Sequence, residues 1–275
     1  MKTVKDQKLT QSTLGDIVCC PGGLEIKGQK IKGEIEQTLT WREKMLKLGM
    51  KGFVSYQDGV PRGFIEYMPA QTAPFPIEAS GSAVLMCYHW VLKNKVDEEE
   101  HLAQEKRLIQ LVIEEAKDRF SGIATLGWDH PTHFPIRLLE ELGFQQLERY
   151  DYIALMWLLL KEKVPRPKMA PPRFKPQDLS SKGLLAVEFA WSSRCPYSIH
   201  NVARLEQIIC EIPGKERIRT FLHRIDTHNE AIRWSISPWD WAWLFLNGGK
   251  VLIHEFPEPD EVKRLIEEKI SKLQP

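Results

Sequence analysis

Short apolar runs alternate with amphipathic segments along the first 160 residues, and this change of period predicts a mixed α/β unit. The Asp58-Gly59 pair between two apolar runs predicts a hairpin turn. The predicted elements are, in order, a helix at 33–50, strands at 52–56, 63–68 and 82–92, a helix at 97–120, a strand at 122–127, a helix at 135–142 and one or two strands within 145–160.

A second pattern occupies the last third of the chain. The predicted elements are a strand at 184–191, a helix at 199–212, a strand at 218–225, a short helix, strands at 241–246 and 250–254, and a helix at 261–273. The run Asn247-Gly248-Gly249 predicts the turn between the last two strands. A strand–helix–strand unit followed by a hairpin and a helix resembles the thioredoxin order.

Five prolines lie between positions 161 and 181, where neither a helical nor a strand period is present. Proline removes backbone donors and favours extended geometry, so this segment is predicted to be a semi-rigid linker. The sequence therefore predicts a first domain at 1–160, a proline-rich linker at 161–181 and a second domain at 182–275.

Composition narrows the possible partners. The chain has 275 residues, with 38 basic and 37 acidic side chains, so no strong field attracts nucleic acid or an anionic membrane. The first residues lack the apolar core of a signal peptide, and no apolar run approaches the roughly 18 residues of a membrane span. Five irregularly spaced cysteines fit reduced thiols. These features predict a cytoplasmic protein.

Two smaller groups of residues are candidates for a function. Asp129, His130 and His133 are potential metal ligands, but the proline between the two histidines prevents them from sharing a helix face, and no metal site is predicted. Four tryptophans form either core and domain interface or an exposed aromatic surface. These are Trp234, Trp239, Trp241 and Trp243.

Four segments of the first domain together resemble the GNAT superfamily of acetyltransferases. They are Gly63 to Pro69, the strand Val84 to Leu92, the helix end Ile113 to Lys117, and Leu142-Gly143-Phe144. The resemblance covers about residues 30–160. The later segment Trp191 to Ser198 and the run Phe245-Leu246-Asn247-Gly248 are similar to a thioredoxin-type domain. This combination resembles acetyltransferases with a C-terminal YoaP-like domain.

The resemblance implies a mixed-sheet acyl-coenzyme A transferase domain that uses acetyl-CoA. It places the cofactor along Trp90, Val91 and Leu92 and at the turn into the following helix, where the family has glycines that let backbone N–H groups reach the pyrophosphate. In this chain Ala103 and Glu105 fall at the glycine positions, on either side of Gln104. We expect Glu105 to clash with a pyrophosphate, both sterically and by charge.

Proton transfer also departs from the family pattern. The family often has a tyrosine four residues before the glycine of Gly-Phe, and here that position is Leu139, which cannot donate a proton. Tyr150 and Tyr152 are the candidate acids in its place. Glu66 is the candidate base, because a carboxylate between apolar neighbours on a central strand is expected to have a raised pKa. The alternative for Glu66 is a solvent-facing position.

Cys195 follows an apolar strand and precedes a helix that is expected to begin with Pro196. A thiol at a helix N-terminus feels the helix dipole, so its pKa is expected to fall. Ser198 occupies the place of a resolving cysteine, which predicts a monothiol site. The alternative is a cysteine without chemistry in a packing or peptide-binding domain.

The sequence thus predicts acetyl transfer from acetyl-CoA to the amine of a small molecule or a protein, with no nucleic acid or membrane partner and no indication of oligomeric state. Two other hypotheses stay open. The first is a GNAT-fold protein that has lost catalysis and serves as a binding or regulatory scaffold, and the second is a redox protein based on Cys195.

Overall fold

The computed structural model describes residues 3–17, 25–26, 29–90, 98–129, 134–161, 164–234, 236, 243–253 and 258–273. The chain divides into two compact units, Met1–Ala170 and Pro171–Pro275. The fold is mixed α/β in both units. Among the helices in the described ranges, none is long and apolar enough to cross a bilayer.

The first unit contains three α-helices and eleven strands among its described residues. In chain order these are β1 (Val4–Lys8), β2 (Glu25–Ile26), β3 (Gln29–Lys30), α1 (Lys32–Lys47), β4 (Lys51–Gln57), β5 (Val60–Pro69), β6 (Ile77–Glu78), β7 (Ala83–Trp90), α2 (Glu98–Ala116), β8 (Gly122–Trp128), α3 (Ile136–Glu141), β9 (Gln145–Tyr150), β10 (Ile153–Leu159) and β11 (Lys168–Met169). The turn between β4 and β5 is confirmed at Asp58 and Gly59, whose φ angles are 50° and 78°.

A seven-stranded sheet forms the centre of this unit, with the order β1-β4-β5-β7-β8-β10-β9. Neighbouring strands are antiparallel except β7 and β8, which are parallel. The ladder between β7 and β8 contains two pairs, Ala83 with Ile123 and Val84 with Ala124. Beyond Val84 the two strands are no longer paired over the described residues, so the sheet opens between them.

The two long helices cover opposite faces of this sheet. Ile65 and Tyr67 of β5 belong to the core cluster that contains Leu108 and Val112 of α2. Glu66 lies between Ile65 and Tyr67, so its side chain points to the other face. There it meets α1, which explains how one strand contacts both helices.

The second unit has a four-stranded sheet with helices against it. Its elements are β12 (Leu185–Trp191), α4 (Pro196–Glu211), β13 (Ile218–Arg224), α5 (His228–Trp234), β14 (Trp243–Leu246), β15 (Gly249–Ile253) and α6 (Pro259–Ser271). The strand order is β13-β12-β14-β15. β12 runs parallel to β13 and antiparallel to β14, and β14 is antiparallel to β15.

The core of the second unit is built from the sheet and two helices. Buried Leu205 and Ile208 of α4 pack in one cluster with Val262 and Ile266 of α6. The predicted order of elements is confirmed. Asn247, with φ 44°, and the following glycine, with φ 74°, form the expected turn between β14 and β15.

The segment at 161–181, predicted to be a linker, contributes ordered parts to both units. Lys168 and Met169 pair with Glu78 and Ile77 of β6. Further along, the backbone N–H of Gln177 donates to Glu188 Oε2 at 2.5 Å. The boundary of the compact units therefore falls inside this segment, because each end of it finds backbone or side-chain partners in its own unit.

Candidate functional site

The opening between β7 and β8 is the candidate site of the first unit. Thr125 Oγ1 donates to the Leu85 carbonyl oxygen at 2.9 Å, immediately beyond the last paired residues. Thr125 is buried, so its hydroxyl satisfies the carbonyl at the point where the strands separate. The opening therefore has a fixed starting point, with the remainder of β7 and β8 as its two walls.

Glu66 is buried and forms an ion pair, so its neighbours are not exclusively apolar. Arg42 of α1 donates from Nε to Glu66 Oε1 at 2.6 Å, and both side chains are buried. The Cys87 thiol of β7 lies 3.1 Å from Glu66 Oε2. The carboxylate therefore has a charged partner and a thiol partner, which corrects the environment expected from the sequence.

Ala103, Gln104 and Glu105 lie in the second turn of α2, and this corrects their sequence-based placement at the turn before the helix. Beyond the first four residues, each helical N–H is donated to the carbonyl four residues earlier. Their backbone N–H groups are thus used within the helix. Ala103 is exposed, whereas the Gln104 side chain accepts a hydrogen bond from the Tyr88 hydroxyl at 3.1 Å.

Glu105 is the most unusual titratable group of this region. Its side chain is 3% exposed, and Oε1 finds no hydrogen-bond donor among the described residues. Burial raises the pKa of Glu105 to about 8. The carboxyl group is therefore mostly protonated at pH 7, and the charge repulsion expected from the sequence is largely removed.

The family resemblance predicts that the end of β7 binds the cofactor. Trp90 is the last residue of β7, where its backbone pairs with Gly63 of β5. Val91 and Leu92 lie outside the described residues. The position of Trp90 puts its backbone at the mouth of the opening, on the strand that forms one wall.

The two candidate acids occupy the hairpin between β9 and β10. The Tyr150 hydroxyl donates to Glu148 Oε2 at 2.7 Å, and this hydrogen bond raises the pKa of Tyr150 to about 12. Tyr152 is half-buried, and its ring lies 5.5 Å from that of Trp128. Trp128 is the last residue of β8, so Tyr152 is near the opening, whereas Tyr150 lies on the edge strand of the sheet.

Glu66 and Tyr150 are not brought together. Three strands, β7, β8 and β10, lie between theirs in the order of the sheet. Leu139, at the position of the family tyrosine, is fully buried in α3. It closely packs against Gly127, where an added Cβ would lie 3.1 Å from Leu139 Cδ1. This position is part of the core.

Cys195 is the N-cap residue of α4, and Pro196 is the first helical residue, as predicted. The thiol is 8% exposed. Asp226 holds the preceding loop, because its carboxylate accepts from the Ser193 N–H at 2.6 Å, from the Ser193 hydroxyl at 2.7 Å and from the Ser192 hydroxyl at 3.2 Å. Cys195 therefore lies at the end of a loop that is fixed by one buried carboxylate.

Metal binding has no support in the described ranges, where no cluster of three His, Cys, Asp or Glu side chains could hold an ion. Asp129 forms an ion pair with Arg149 at 3.1 Å. His130 and His133 lie outside the described residues, as do Trp239 and Trp241.

Comparison with known proteins gives structural similarity at low sequence identity. No protein-family model matches the chain, and no curated protein matches its sequence. The chain is similar to the PaiA N-acetyltransferase from Thermoplasma acidophilum in complex with coenzyme A, with 16% identity, 57% of this chain and 99% of that one covered, and a TM-score of 0.38.

Two further solved structures show the same level of similarity. One is an N-acetyltransferase from Staphylococcus aureus, with 16% identity, 58% and 99% of the two chains covered, and a TM-score of 0.40. The other is the ribosomal-protein-S18-alanine N-acetyltransferase from Escherichia coli, with 15% identity, 59% and 96% covered, and a TM-score of 0.38. Because these similarities are low, the function proposed below rests on the residues of this chain.

Sequence reasoning missed a second polar site in the Pro171–Pro275 unit. Glu188 of β12 is 1% exposed, and its Oε1 lies 3.1 Å from His223 Nε2 of β13. A signal for it was present, because Glu188 is the one charged residue in the strand Leu185–Trp191. A carboxylate in an otherwise apolar buried strand requires a partner.

Proposed function

We propose that the first unit binds acetyl-coenzyme A in the opening between β7 and β8 and transfers the acetyl group to an amine of a small molecule or a protein. The single observation that carries this proposal is the parallel pair β7 and β8, which separates after two paired residues and is followed by α2. The resemblance of the sequence to the GNAT superfamily agrees with it.

The fit of the cofactor depends on the backbone beyond Val84. Over the described residues the ladder between β7 and β8 ends there, so the β7 backbone beyond it faces the opening without a strand partner. The amide groups of the pantetheine arm have the donors and acceptors that such an edge requires. The next helix in the chain after β7 is α2, which begins at Glu98. A helix N-terminus is suited to a phosphate.

When bound, acetyl-coenzyme A supplies an activated thioester. The transfer requires that the amine nitrogen bonds to the acetyl carbon while the carbon–sulfur bond breaks. One proton leaves the nitrogen, and one proton reaches the departing thiolate. The protein must therefore provide a proton acceptor and a proton donor at the two ends of this exchange.

Glu66 stays our candidate for the acceptor and Tyr152 is our preferred donor. Both oxygens of Glu66 are engaged, Oε1 by Arg42 Nε at 2.6 Å and Oε2 by Arg42 Nη2 at 3.4 Å and the Cys87 thiol at 3.1 Å, so this role requires the longer contacts of Oε2 to give way to the proton. Tyr152 is preferred over Tyr150 because it contacts Trp128 at the end of β8, whereas the Tyr150 hydroxyl donates a hydrogen bond to Glu148. These roles are part of the proposal.

The second unit is proposed to be a thioredoxin-like domain of the YoaP-like kind. Its support is the strand order β13-β12-β14-β15 with β12 parallel to β13, and the position of Cys195 ahead of α4. A monothiol redox role for Cys195 is an alternative within this proposal, with Ser198 in place of a second thiol.

A scaffold without catalysis is the second candidate function of the first unit. It is favoured by two observations: the predicted catalytic groups Glu66 and Tyr150 pair with Arg42 and Glu148, and Leu139, at the position of the family tyrosine, is part of the core. A scaffold would bind coenzyme A, or a ligand like it, without turnover.

The test is an acetylation assay on the full chain, in which coenzyme A release is measured with polyamines, aminoglycosides and peptide N-termini as acceptors. We expect Tyr152→Phe to lower kcat about 100-fold, in the range of a lost proton donor, and the matched Tyr150→Phe to retain it. A loss with Tyr150→Phe alone would contradict our choice of donor. Binding without turnover for any acceptor would favour the scaffold.

A further inference from the structure

A cavity of about 590 Å³ lies in the second unit, beside the Glu188–His223 pair. Its walls come from the segment at 173–177, from β12 and β13, and from α5. Small-molecule sites have volumes of about 300 to 1,000 Å³ and combine apolar surface with a few fixed polar groups. This cavity has the volume and the mixed lining of such a site.

Two buried residues that line the cavity, Glu188 and His223, are hydrogen-bonded to each other. Glu188 Oε1 meets His223 Nε2 at 3.1 Å, and Glu188 Oε2 accepts the Gln177 N–H at 2.5 Å. Glu188 and His223 are 1% and 8% exposed. Because both carboxylate oxygens have hydrogen-bond partners, the pair fixes the His223 ring in the wall of the cavity.

Aromatic rings form one side of the cavity. The His223 ring centroid lies 4.3 Å from that of Trp234 and 5.2 Å from that of Phe174. Phe174 and Trp234 also contact each other, at 6.1 Å. All three residues line the cavity. Phe174 also contacts Trp243 at 4.3 Å, so this apolar side of the cavity is held by the core of the unit.

Three cationic side chains line the same cavity, namely Arg173, Lys175 and Arg233. The Arg233 guanidinium lies over the Trp234 ring, 4.5 Å from its centroid. Stacking on an aromatic face orients a guanidinium without using its N–H groups, which stay available for an anion. Among the described residues that line the cavity, Glu188 is the one carboxylate, and its two oxygens are hydrogen-bonded to His223 and to the Gln177 N–H.

We propose that this cavity binds a small aromatic anion, a planar ring that carries a phosphate or carboxylate group. The ring packs against Phe174 and Trp234, and the anion is held by Arg233 with Arg173 and Lys175. The Glu188–His223 pair keeps the wall in place and is a positioning element. This site is separate from the proposed acetyl transfer, because all of its residues belong to the second unit.

Calorimetric titration of the full chain tests the proposal with phenyl phosphate, benzoate, inorganic phosphate and benzyl alcohol as probes. We expect phenyl phosphate or benzoate to bind at one site, and inorganic phosphate and benzyl alcohol to bind at least about tenfold more weakly, because each lacks one of the two recognised parts. Equal binding of inorganic phosphate and phenyl phosphate would overturn the role of the ring. No heat with either aromatic anion at millimolar concentration would overturn the site.

Arg233→Gln is the matched variant, because Arg233 is exposed and its removal leaves the buried pair intact. We expect this substitution to lower the affinity for the aromatic anion by about 10- to 100-fold, as for a lost charge-assisted hydrogen bond. Arg264→Gln on α6 is the control, since Arg264 pairs with Glu268 on the surface, and it should leave affinity unchanged. An equal loss in both variants would overturn the proposal. Coenzyme A binding measured on Arg233→Gln should be retained, which separates this site from acetyl transfer.

Discussion

Arg42 Nε donates a hydrogen bond of 2.6 Å to Glu66 Oε1, and the two side chains are 3% and 2% exposed. The pair joins α1 to β5, the strand next to β7 in the sheet. Two charges can stay buried because each neutralises the other, whereas removal of one partner leaves an isolated charge in the core. The position of α1 over the central sheet therefore depends on this pair.

Glu66→Gln should lower the free energy of unfolding by about 3 to 5 kcal/mol, because it leaves the Arg42 guanidinium without its counter-ion. Denaturant unfolding of the full chain measures this. As the control, Glu36→Gln removes an exposed ion pair with Lys32 on α1, the helix that carries Arg42. It should cost less than about 1 kcal/mol. Equal, small effects of the two substitutions would show that the buried pair is not required.

Glu105 should make stability depend on pH. The pKa of Glu105 in the folded protein is about 8, above the ordinary value of 4.5. Between these two pH values the folded state keeps a proton that the unfolded state has released. The contribution to stability is complete below pH 4.5 and is lost as the pH rises through 8. One pKa unit corresponds to about 1.4 kcal/mol, so the loss over the shift from 4.5 to about 8 is on the order of 5 kcal/mol.

Glu105→Gln should remove most of this dependence. We expect the variant to match the wild type near pH 4.5 and to exceed its free energy of unfolding near pH 9. Glu114→Gln, at an exposed position of the same helix, is the control and should follow the wild-type curve. A wild-type curve parallel to that of Glu105→Gln would mean that Glu105 is ionised in the folded protein at neutral pH.

Thr125→Val should destabilise the first unit at the point where β7 and β8 separate. Valine has the shape of threonine but cannot donate to the Leu85 carbonyl, which costs about 1 to 3 kcal/mol for a buried acceptor. Thr40→Val removes a similar hydrogen bond to the Glu36 carbonyl on the surface of α1. Thermal unfolding should show the larger loss for Thr125→Val, and the reverse order would contradict the buried role of its hydroxyl.

Cys195 should react slowly with an alkylating reagent in the folded protein. Its thiol is 8% exposed, whereas Cys210 on the same helix is exposed. Mass spectrometry after brief iodoacetamide treatment should find Cys210 labelled before Cys195. Asp226→Asn should accelerate the labelling of Cys195, because it weakens the hydrogen bonds that hold Ser193 and the loop. Faster labelling of Cys195 than of Cys210 in the wild type would instead favour the monothiol hypothesis.

Local signals predicted most of the secondary structure. The Asp58-Gly59 and Asn247-Gly248 turns were read from residues that adopt positive φ. The apolar residues of α2 recur with a 3.6-residue period, and Ile109 and Val112 of that face are fully buried. These features depend on neighbours in sequence, which a single chain displays directly.

Long-range pairing explains what the sequence did not reveal. Arg42 and Glu66 meet across 24 positions of the chain, and Glu188 meets His223 across 35. A one-dimensional pattern cannot show which distant charge lies opposite a given carboxylate. The environment of Glu105 was missed for a related reason, because its position came from sliding a family pattern along the chain, which does not show that residue 105 is buried in the second turn of α2.

Calorimetric titration of the full chain with acetyl-coenzyme A tests the central claim most directly. If the opening between β7 and β8 is the cofactor site, acetyl-coenzyme A and coenzyme A should each bind at one site per chain, and S-acetylpantetheine should compete, because the β7 backbone recognises the pantetheine arm. No detectable heat and no thermal shift at millimolar acetyl-coenzyme A would contradict the proposed acetyl transfer.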